Sequence, residues 1–308
     1  MVDGALVRDD YRAAREAAAY RVVEGAGYVR VGGPDAVDFL QRQTTNDVRA
    51  LAPGKALLNV LTSPTARIAE VFTMRRDGES IGLITPPGRG PALAAQLKRK
   101  IFFMDNVTVE DASAEWVYVE LAGPGAEALA ATAGVGGVEV IGREAALALG
   151  PKLLVPAAQI GDVAAALDEA GAVHLSGESY EILRVEAGLP AAGVELTEDY
   201  TPLEAGLTHA VSMSKGCYTG QEVIARQVNY DKVTRHLAGL RLQGEAAPGA
   251  QVRAGGRLAG TLTSAVRSPV HGWIGLAVLR RPHHEPGTGV SVEGEAGSVG
   301  ATVAALPF

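Results

Sequence analysis

Lys215-Gly216-Cys217-Tyr218-Thr219-Gly220-Gln221-Glu222, continued by Val223-Ile224-Ala225-Arg226, combines a helix-start signal with the chain's single cysteine. Thr219 and Glu222 have the Thr-x-x-Glu spacing of a capping box, and Tyr218 and Val223 stand where a hydrophobic staple would close it, so the spacing predicts a helix beginning there. Cys217 then lies just ahead of a helix N-terminus and two residues after Lys215, and both features favour thiolate over thiol. The alternative is a buried, inert thiol, a common fate of cysteine. With one cysteine in 308 residues, no intramolecular disulfide and no multi-thiolate cluster or zinc site can form within one chain.

Upstream, residues 22–32 read as strands around a glycine turn, Pro34 sits where a first helical turn tolerates proline, and a short helix runs through Leu40. Thr44-Thr45-Asn46-Asp47 ends that helix, because such side chains compete for nearby backbone groups. Strands follow over 56–61 and 67–74, then a helix over 91–100 with a basic end that suits its dipole. From Trp116 the order is strand 116–121, helix 124–133, strand 152–155, helix 159–170, strand 172–175 and helix 178–187, which implies layered α/β or α+β packing. After Lys232 the pattern changes to six short apolar strands, 237–242, 250–254, 257–265, 272–279, 289–293 and 300–305, spaced as in a small closed or nearly closed β-barrel. The main boundary therefore falls between 1–232 and 233–308, and no repeat of fixed period suggests a solenoid or propeller.

A hydrophobic content of 47% with 20% charged residues describes a globular chain of two or three packed modules. Charges at Asp3, Arg8, Asp9, Asp10, Arg12, Arg15 and Glu16 interrupt the N-terminal stretch, unlike a signal peptide, and no run approaches the ~18 apolar residues of a spanning helix. The expected location is the cytoplasm, away from any membrane. A net charge of −7 argues against direct nucleic-acid contact, and Arg235, Arg241, Arg253 and Arg257 read as ordinary surface. Gly123-Pro124-Gly125-Ala126-Glu127-Ala128 imitates a dinucleotide fingerprint, but Pro124 fixes φ where the loop would wrap a pyrophosphate, so it reads as a turn feeding a helix. His283-His284-Glu285, bracketed by Pro282 and Pro286, reads as a loop and not a metal site.

The octapeptide 215–222 resembles the Lys-Gly-Cys-Tyr-x-Gly-Gln-Glu signature of the YgfZ family. The likeness continues through Asp38-Phe39-Leu40-Gln41 with Thr44-Thr45-Asn46-Asp47, Arg184-Val185-Glu186-Ala187-Gly188-Leu189-Pro190, Thr201-Pro202-Leu203-Glu204-Ala205-Gly206-Leu207, Thr263-Ser264 with Ser268-Pro269, and Leu306-Pro307-Phe308. It implies an α+β, GcvT-like folate-binding fold, with mixed α/β modules around a central cavity and a small C-terminal β-barrel. The implied cofactor is tetrahydrofolate or a derivative. The implied role is assembly or repair of iron–sulfur clusters in client enzymes, a tRNA-thiolating one among them, through transient contact with clients or assembly proteins.

Carried over residue by residue, the resemblance makes Glu204 the pterin contact, since a carboxylate can accept two parallel N–H bonds from an aminopyrimidine edge. Without the motif, Glu204 reads as a surface glutamate beside Pro202. Tyr218, Gln221 and Arg226 join it as implied folate contacts, and Cys217 with Lys215 as the reactive pair. Aminomethyltransferases of the same superfamily place a catalytic aspartate in a Gly-Gly-x-x-Asp-Asp type segment. Ala66-Arg67-Ile68-Ala69-Glu70-Val71 stands there, leaving Glu70 as the candidate in the rival reading, a tetrahydrofolate-dependent aminomethyl- or methyltransferase. Ala66 and Asp231 occupy positions where the YgfZ pattern usually has glycine.

Overall fold

Side-chain alternation along four strands decides how the first part of the chain is layered. In the computed structural model, which describes residues 8–133, 137–294 and 297–308, the chain forms two compact units. One holds Asp9–Ser176 with His209–Gln221, the other Gly177–Thr208 with Glu222–Phe308. Asp3, one of the N-terminal charges, lies outside the described residues.

The first unit contains, in chain order, α1 (Asp9–Glu16), β1 (Ala19–Val23), β2 (Ala26–Gly32), α2 (Ala36–Gln43), β3 (Ala56–Thr62), β4 (Ile68–Asp77), β5 (Ser80–Pro87), α3 (Gly90–Lys98), β6 (Thr108–Asp111), β7 (Trp116–Ala122), α4 (Ala126–Ala133), β8 (Glu139–Ile141), α5 (Arg143–Ala146), β9 (Lys152–Pro156), α6 (Ile160–Glu169) and β10 (Val173–His174). Its strands make two five-stranded sheets, ordered β3-β4-β5-β2-β6 and β10-β1-β7-β9-β8.

Val29 and Val31 of β2 pack with Phe39 and Leu40 of α2 and Leu93 and Leu97 of α3, whereas Tyr28 turns to the opposite face. On β7 and β9, Val119, Leu121, Leu153 and Val155 meet Leu129 of α4 and Val163 and Leu167 of α6. The intervening Tyr118 and Leu154 join Tyr28 and Ile84. Period-two alternation thus sends one face of each sheet into a shared core and the other under helices.

β1 and β2 flank the expected glycine turn but do not pair with each other, since β1 bonds to β7 and β10 and β2 to β5 and β6. β7 is antiparallel to both of its neighbours, so the turn after it is no parallel βαβ crossover. Gly123, at a φ of 101°, lets the Ala17 carbonyl in: a Cβ there would lie 2.7 Å from that oxygen.

In the second unit α7 (Gly177–Glu186) and α8 (Gln221–Asn229, of which Gln221 falls in the first unit) precede β11 (Arg235–Leu242), β12 (Gln251–Ala254), β13 (Arg257–Ser268), β14 (Gly272–Arg280), β15 (Gly289–Gly294) and β16 (Gly297–Ala304). The six strands close into a barrel in the order β11-β14-β13-β12-β15-β16, filled by Leu240, Val252, Leu262, Leu279, Val292 and Val303. The expected α+β fold with a terminal barrel is the observed one. No helix among the described residues is long and apolar enough to cross a membrane.

Candidate functional site

Within the first unit, the segment after α2 and the cysteine loop are tied into one polar cluster. Thr44, Thr45 and Asn59 are all fully buried. Asn59 donates from Nδ2 to Thr44 Oγ1 at 3.0 Å and accepts on Oδ1 from the Asn46 N–H at 2.8 Å. Thr45 Oγ1 donates to the Ala210 carbonyl at 2.6 Å, and the Ser212 N–H to the Thr45 carbonyl at 3.0 Å. Asn59 is a polar residue in the otherwise apolar run Leu57–Leu61, a signal that the sequence carried and that the motif reading passed over.

Lys215 reaches into this cluster. Its Nζ donates to the carbonyls of Thr44 and Asn46, both at 2.7 Å, and lies 5.1 Å from the centre of the Tyr218 ring. The ammonium is therefore engaged with two carbonyls and an aromatic face, and in these contacts Lys215 staples the loop. Burial pulls its pKa from 10.5 down to about 8.

Between about 8 and 10.5 the unfolded chain holds this proton and the folded chain does not, so the group's contribution to stability rises with pH across that window. The neutral amine keeps two N–H groups for the same two carbonyls. The stability advantage of the wild type over Lys215→Met is expected to grow between pH 8 and 10 in urea melts; an advantage that shrinks there contradicts the placement of this amine.

Two further ties hold the other side of the loop. The Thr219 N–H donates to the Arg42 carbonyl at 3.3 Å, and Thr62 Oγ1 donates to the Thr219 carbonyl at 2.6 Å. The helix predicted to start at Thr219 starts instead at Gln221, because the Thr219 backbone is spent on α2 and β3. Gly220 makes the bend with a φ of 84°, and a Cβ on it would fall 2.7 Å from the Ser63 carbonyl. Between these anchors Cys217 is exposed, so the buried-thiol alternative does not describe it. Tyr218 is buried, its phenol pushed up to about 12 by burial, and Gln221 Nε2 donates to the Lys215 carbonyl at 3.4 Å.

Glu70 lies elsewhere in the same unit, on β4 and 3% exposed, with Arg89 Nε donating to its Oε2 at 2.7 Å. Burial pushes its carboxyl above the usual carboxylate range, and Arg89 pulls the other way. Arg89 carried no motif in the sequence and was missed.

The second unit holds Glu204, which is 2% exposed and not the surface glutamate that its bare context suggested. Here the reciprocal bonds of a capping box do form, one Thr-x-x-Glu earlier than expected and on a turn instead of a helix: Glu204 Oε2 accepts the Thr201 N–H at 3.0 Å, and the Glu204 N–H donates to Thr201 Oγ1 at 3.3 Å. Pro202 follows Thr201 directly and presets the φ that this turn needs. Arg235 then grips both carboxylate oxygens, Nε to Oε1 at 3.0 Å and Nη2 to Oε2 at 3.1 Å. It also donates to the Asp199 carbonyl at 2.8 Å and stacks over Tyr200 at 5.1 Å. Arg235 is therefore no ordinary surface residue, contrary to the sequence reading. Arg226 is exposed on α8.

The remaining motif residues of this unit join α7 to the barrel. Arg184, 4% exposed, donates to Ser264 Oγ at 2.7 Å and to the Leu189 carbonyl at 2.6 Å, and lies 3.4 Å from Glu195, which is fully buried. Ser264 in turn donates to Glu195 Oε1 at 2.6 Å, and Ser268 to Glu186 Oε1 at 2.6 Å. The Phe308 N–H closes the chain end onto the Glu186 carbonyl at 2.9 Å. His236 and His284 stack at 4.1 Å, and no group of three potential metal ligands occurs among the described residues.

Comparison with known proteins bears on this arrangement. Residues 4–136 match the GCVT N-terminal domain and residues 235–308 the glycine cleavage T-protein C-terminal barrel domain. An aminomethyltransferase of Rubrobacter xylanophilus is 32% identical over 330 residues, covering 100% of this chain and 87% of the relative. A chloroplastic Arabidopsis thaliana protein named as a proposed transferase is 30% identical over 289 residues, 86% of this chain; the chain spans 66% of that relative's length. In fold, the chain is similar to the glycine cleavage system aminomethyltransferase T of Bartonella henselae, with a TM-score of 0.84 at 23% identity over 97% of this chain and 88% of that one. On these grounds the chain belongs to the glycine cleavage T-protein, or aminomethyltransferase, family.

Proposed function

We propose that the chain is a folate-binding protein of the YgfZ type, acting in the cytoplasm to assist assembly or repair of iron–sulfur clusters in client enzymes. The observation that carries this reading is the exposed Cys217, held between the Lys215 staple on one side and the Thr219 ties on the other. A thiol presented on a loop pinned at both ends can meet a client's sulfur or iron at little ordering cost. Gly216 beside it opens onto space: a Cβ added there would meet nothing within 4 Å, so internal packing does not demand glycine and the approach to the thiol stays clear.

Two departures from the YgfZ pattern are conservative in conformation. Ala66, with a φ of 59°, and Asp231, with a φ of 49°, keep the left-handed backbone that a glycine would adopt.

Family membership supports tetrahydrofolate or a derivative as the ligand, and the pterin contact implied for Glu204 is tested by its hydrogen bonds. Its carboxylate already accepts from Thr201 N–H, Arg235 Nε and Nη2, and Thr234 Oγ1 at 3.4 Å. An ionised carboxylate offers about four acceptor directions, so an aminopyrimidine edge does not fit Glu204 as the side chain stands. Titration with reduced folates locates the contact: affinity held in Glu204→Gln puts the pterin elsewhere, and affinity lost about tenfold or more means that the ligand displaces Arg235.

The rival, a one-carbon transferase working through Glu70, draws on its burial-raised carboxyl, a trait of acid–base groups, and on the names of the relatives. Arg89 on that carboxyl weakens it. In a one-carbon transfer assay with a reduced folate the purified chain is expected to show no turnover above background. Turnover that survives Cys217→Ala and collapses in Glu70→Gln establishes the rival instead.

A further inference from the structure

One stretch of the first unit serves no packing purpose. Phe102, Phe103 and Met104 are 67%, 97% and 76% exposed, while Ile101 and Val107 on either side pack against the core beneath α3. Three consecutive large apolar side chains in water are unlike the scattered single residues of an ordinary surface. The tip is also held in shape. The Asp105 N–H donates to the Phe102 carbonyl at 2.9 Å, and Asp105 Oδ2 accepts the Phe102 N–H at 3.1 Å. Arg42 Nη2 donates to Asp105 Oδ1 at 2.7 Å.

Charge sets this patch apart from the rest of the protein. Lys98, Arg99 and Lys100 lead into the tip, and among the described residues none of the three has an ion-pair partner. The one acid of the tip, Asp105, is consumed by Arg42. In a chain of net charge −7, a basic, apolar tip has the opposite sign to the chain as a whole. We propose that Phe102–Met104 with Lys98–Lys100 is a docking surface for a protein partner that presents an apolar pocket rimmed by carboxylates.

Aromatic anchors on a preformed turn are the kind of group that carries interface affinity, and the basic rim steers and orients an acidic partner. A lipid surface suits the tip less well. Its three side chains offer an apolar area of the order of one acyl chain, which alone holds a protein only marginally, and the net charge opposes an anionic bilayer. Arg42 links the tip to the cysteine loop, since its carbonyl accepts the Thr219 N–H at 3.3 Å while its guanidinium holds Asp105. That the docked partner is the client of Cys217 rests on the function proposed above.

The test uses the full chain in cells, with Phe103→p-benzoylphenylalanine as a photocrosslinker, alone and combined with Lys98→Glu, Arg99→Glu and Lys100→Glu. The expected result is a discrete protein adduct that falls about fivefold or more on charge reversal. No adduct, or one indifferent to the basic triplet, overturns the proposal. Pelleting of the wild type with vesicles of phosphatidylcholine and phosphatidylglycerol, lost in Phe102→Ser/Phe103→Ser, also overturns it and makes lipid the occupant.

A second readout separates the docking surface from the function. Cluster-enzyme activity is expected to fall in Phe102→Ser/Phe103→Ser and to recover on overexpression, because weakened docking yields to mass action. The loss in Cys217→Ala is expected not to recover. Wild-type activity in the tip variant beside a defective Cys217→Ala overturns the docking surface alone. Wild-type activity in Cys217→Ala sinks the iron–sulfur reading, and the crosslinking result then judges the tip by itself.

Discussion

Arg184→Ala is expected to lower the stability of the folded chain by about 3–5 kcal/mol, the largest single effect predicted for a side chain outside the cysteine loop. The cost comes from what is left behind. Glu195, fully buried, loses its only cationic neighbour among the described residues, and Ser264 Oγ and the Leu189 carbonyl each lose a donor. Arg184 spans α7, the loop after it and β13, so the loss loosens the attachment of the helix to the barrel. Replacing the pair together, as Arg184→Met with Glu195→Leu, is expected to cost less than Arg184→Ala, since no uncompensated charge stays buried. Urea melts of the three proteins check this. A double variant less stable than the single one contradicts the account.

Arg235→Ala is the second large effect, about 3 kcal/mol, at the low end for a broken buried pair because the guanidinium is itself 28% exposed. Glu204 keeps Thr201 and Thr234 but loses two charge-assisted bonds, and Tyr200 loses the cation on its face. Arg235→Lys is expected to restore only a minor part, because an ammonium cannot bridge both oxygens, stack on Tyr200 and reach the Asp199 carbonyl at once. Denaturant midpoints again decide. A lysine variant as stable as the wild type means that charge alone, and not the fork geometry, holds Glu204.

Much of the architecture was legible because it follows from period and punctuation. Strands β11 to β16 are short apolar runs split by glycine and proline, and their spacing was enough to expect a barrel. What escaped were elements whose local signals are poor. β5 carries Gly82, Pro86 and Pro87, and α1 is a charged helix that buries only Tyr11 and Ala14. The capping boxes show a different limit. Thr201–Glu204 and Thr219–Glu222 have identical spacing, and only long-range ties of Thr219 to Arg42 and Thr62 decide which of them closes. In the site, the resemblance named residues such as Lys215, Thr44 and Glu204 but not which side chains meet. Nothing near Arg235 in sequence announces Glu204, thirty-one residues away, and Lys215 meets Thr44 across 171 residues.

On the proposed function, Cys217 and not Glu70 carries the chemistry of this chain. The most direct measurement of this is the activity of iron–sulfur enzymes in cells whose only copy carries either Cys217→Ala or Glu70→Gln, with both proteins shown to fold. The expected outcome is a drop of about fivefold or more for Cys217→Ala and near wild-type activity for Glu70→Gln. Full activity with the cysteine gone, or a loss confined to Glu70→Gln, would contradict it.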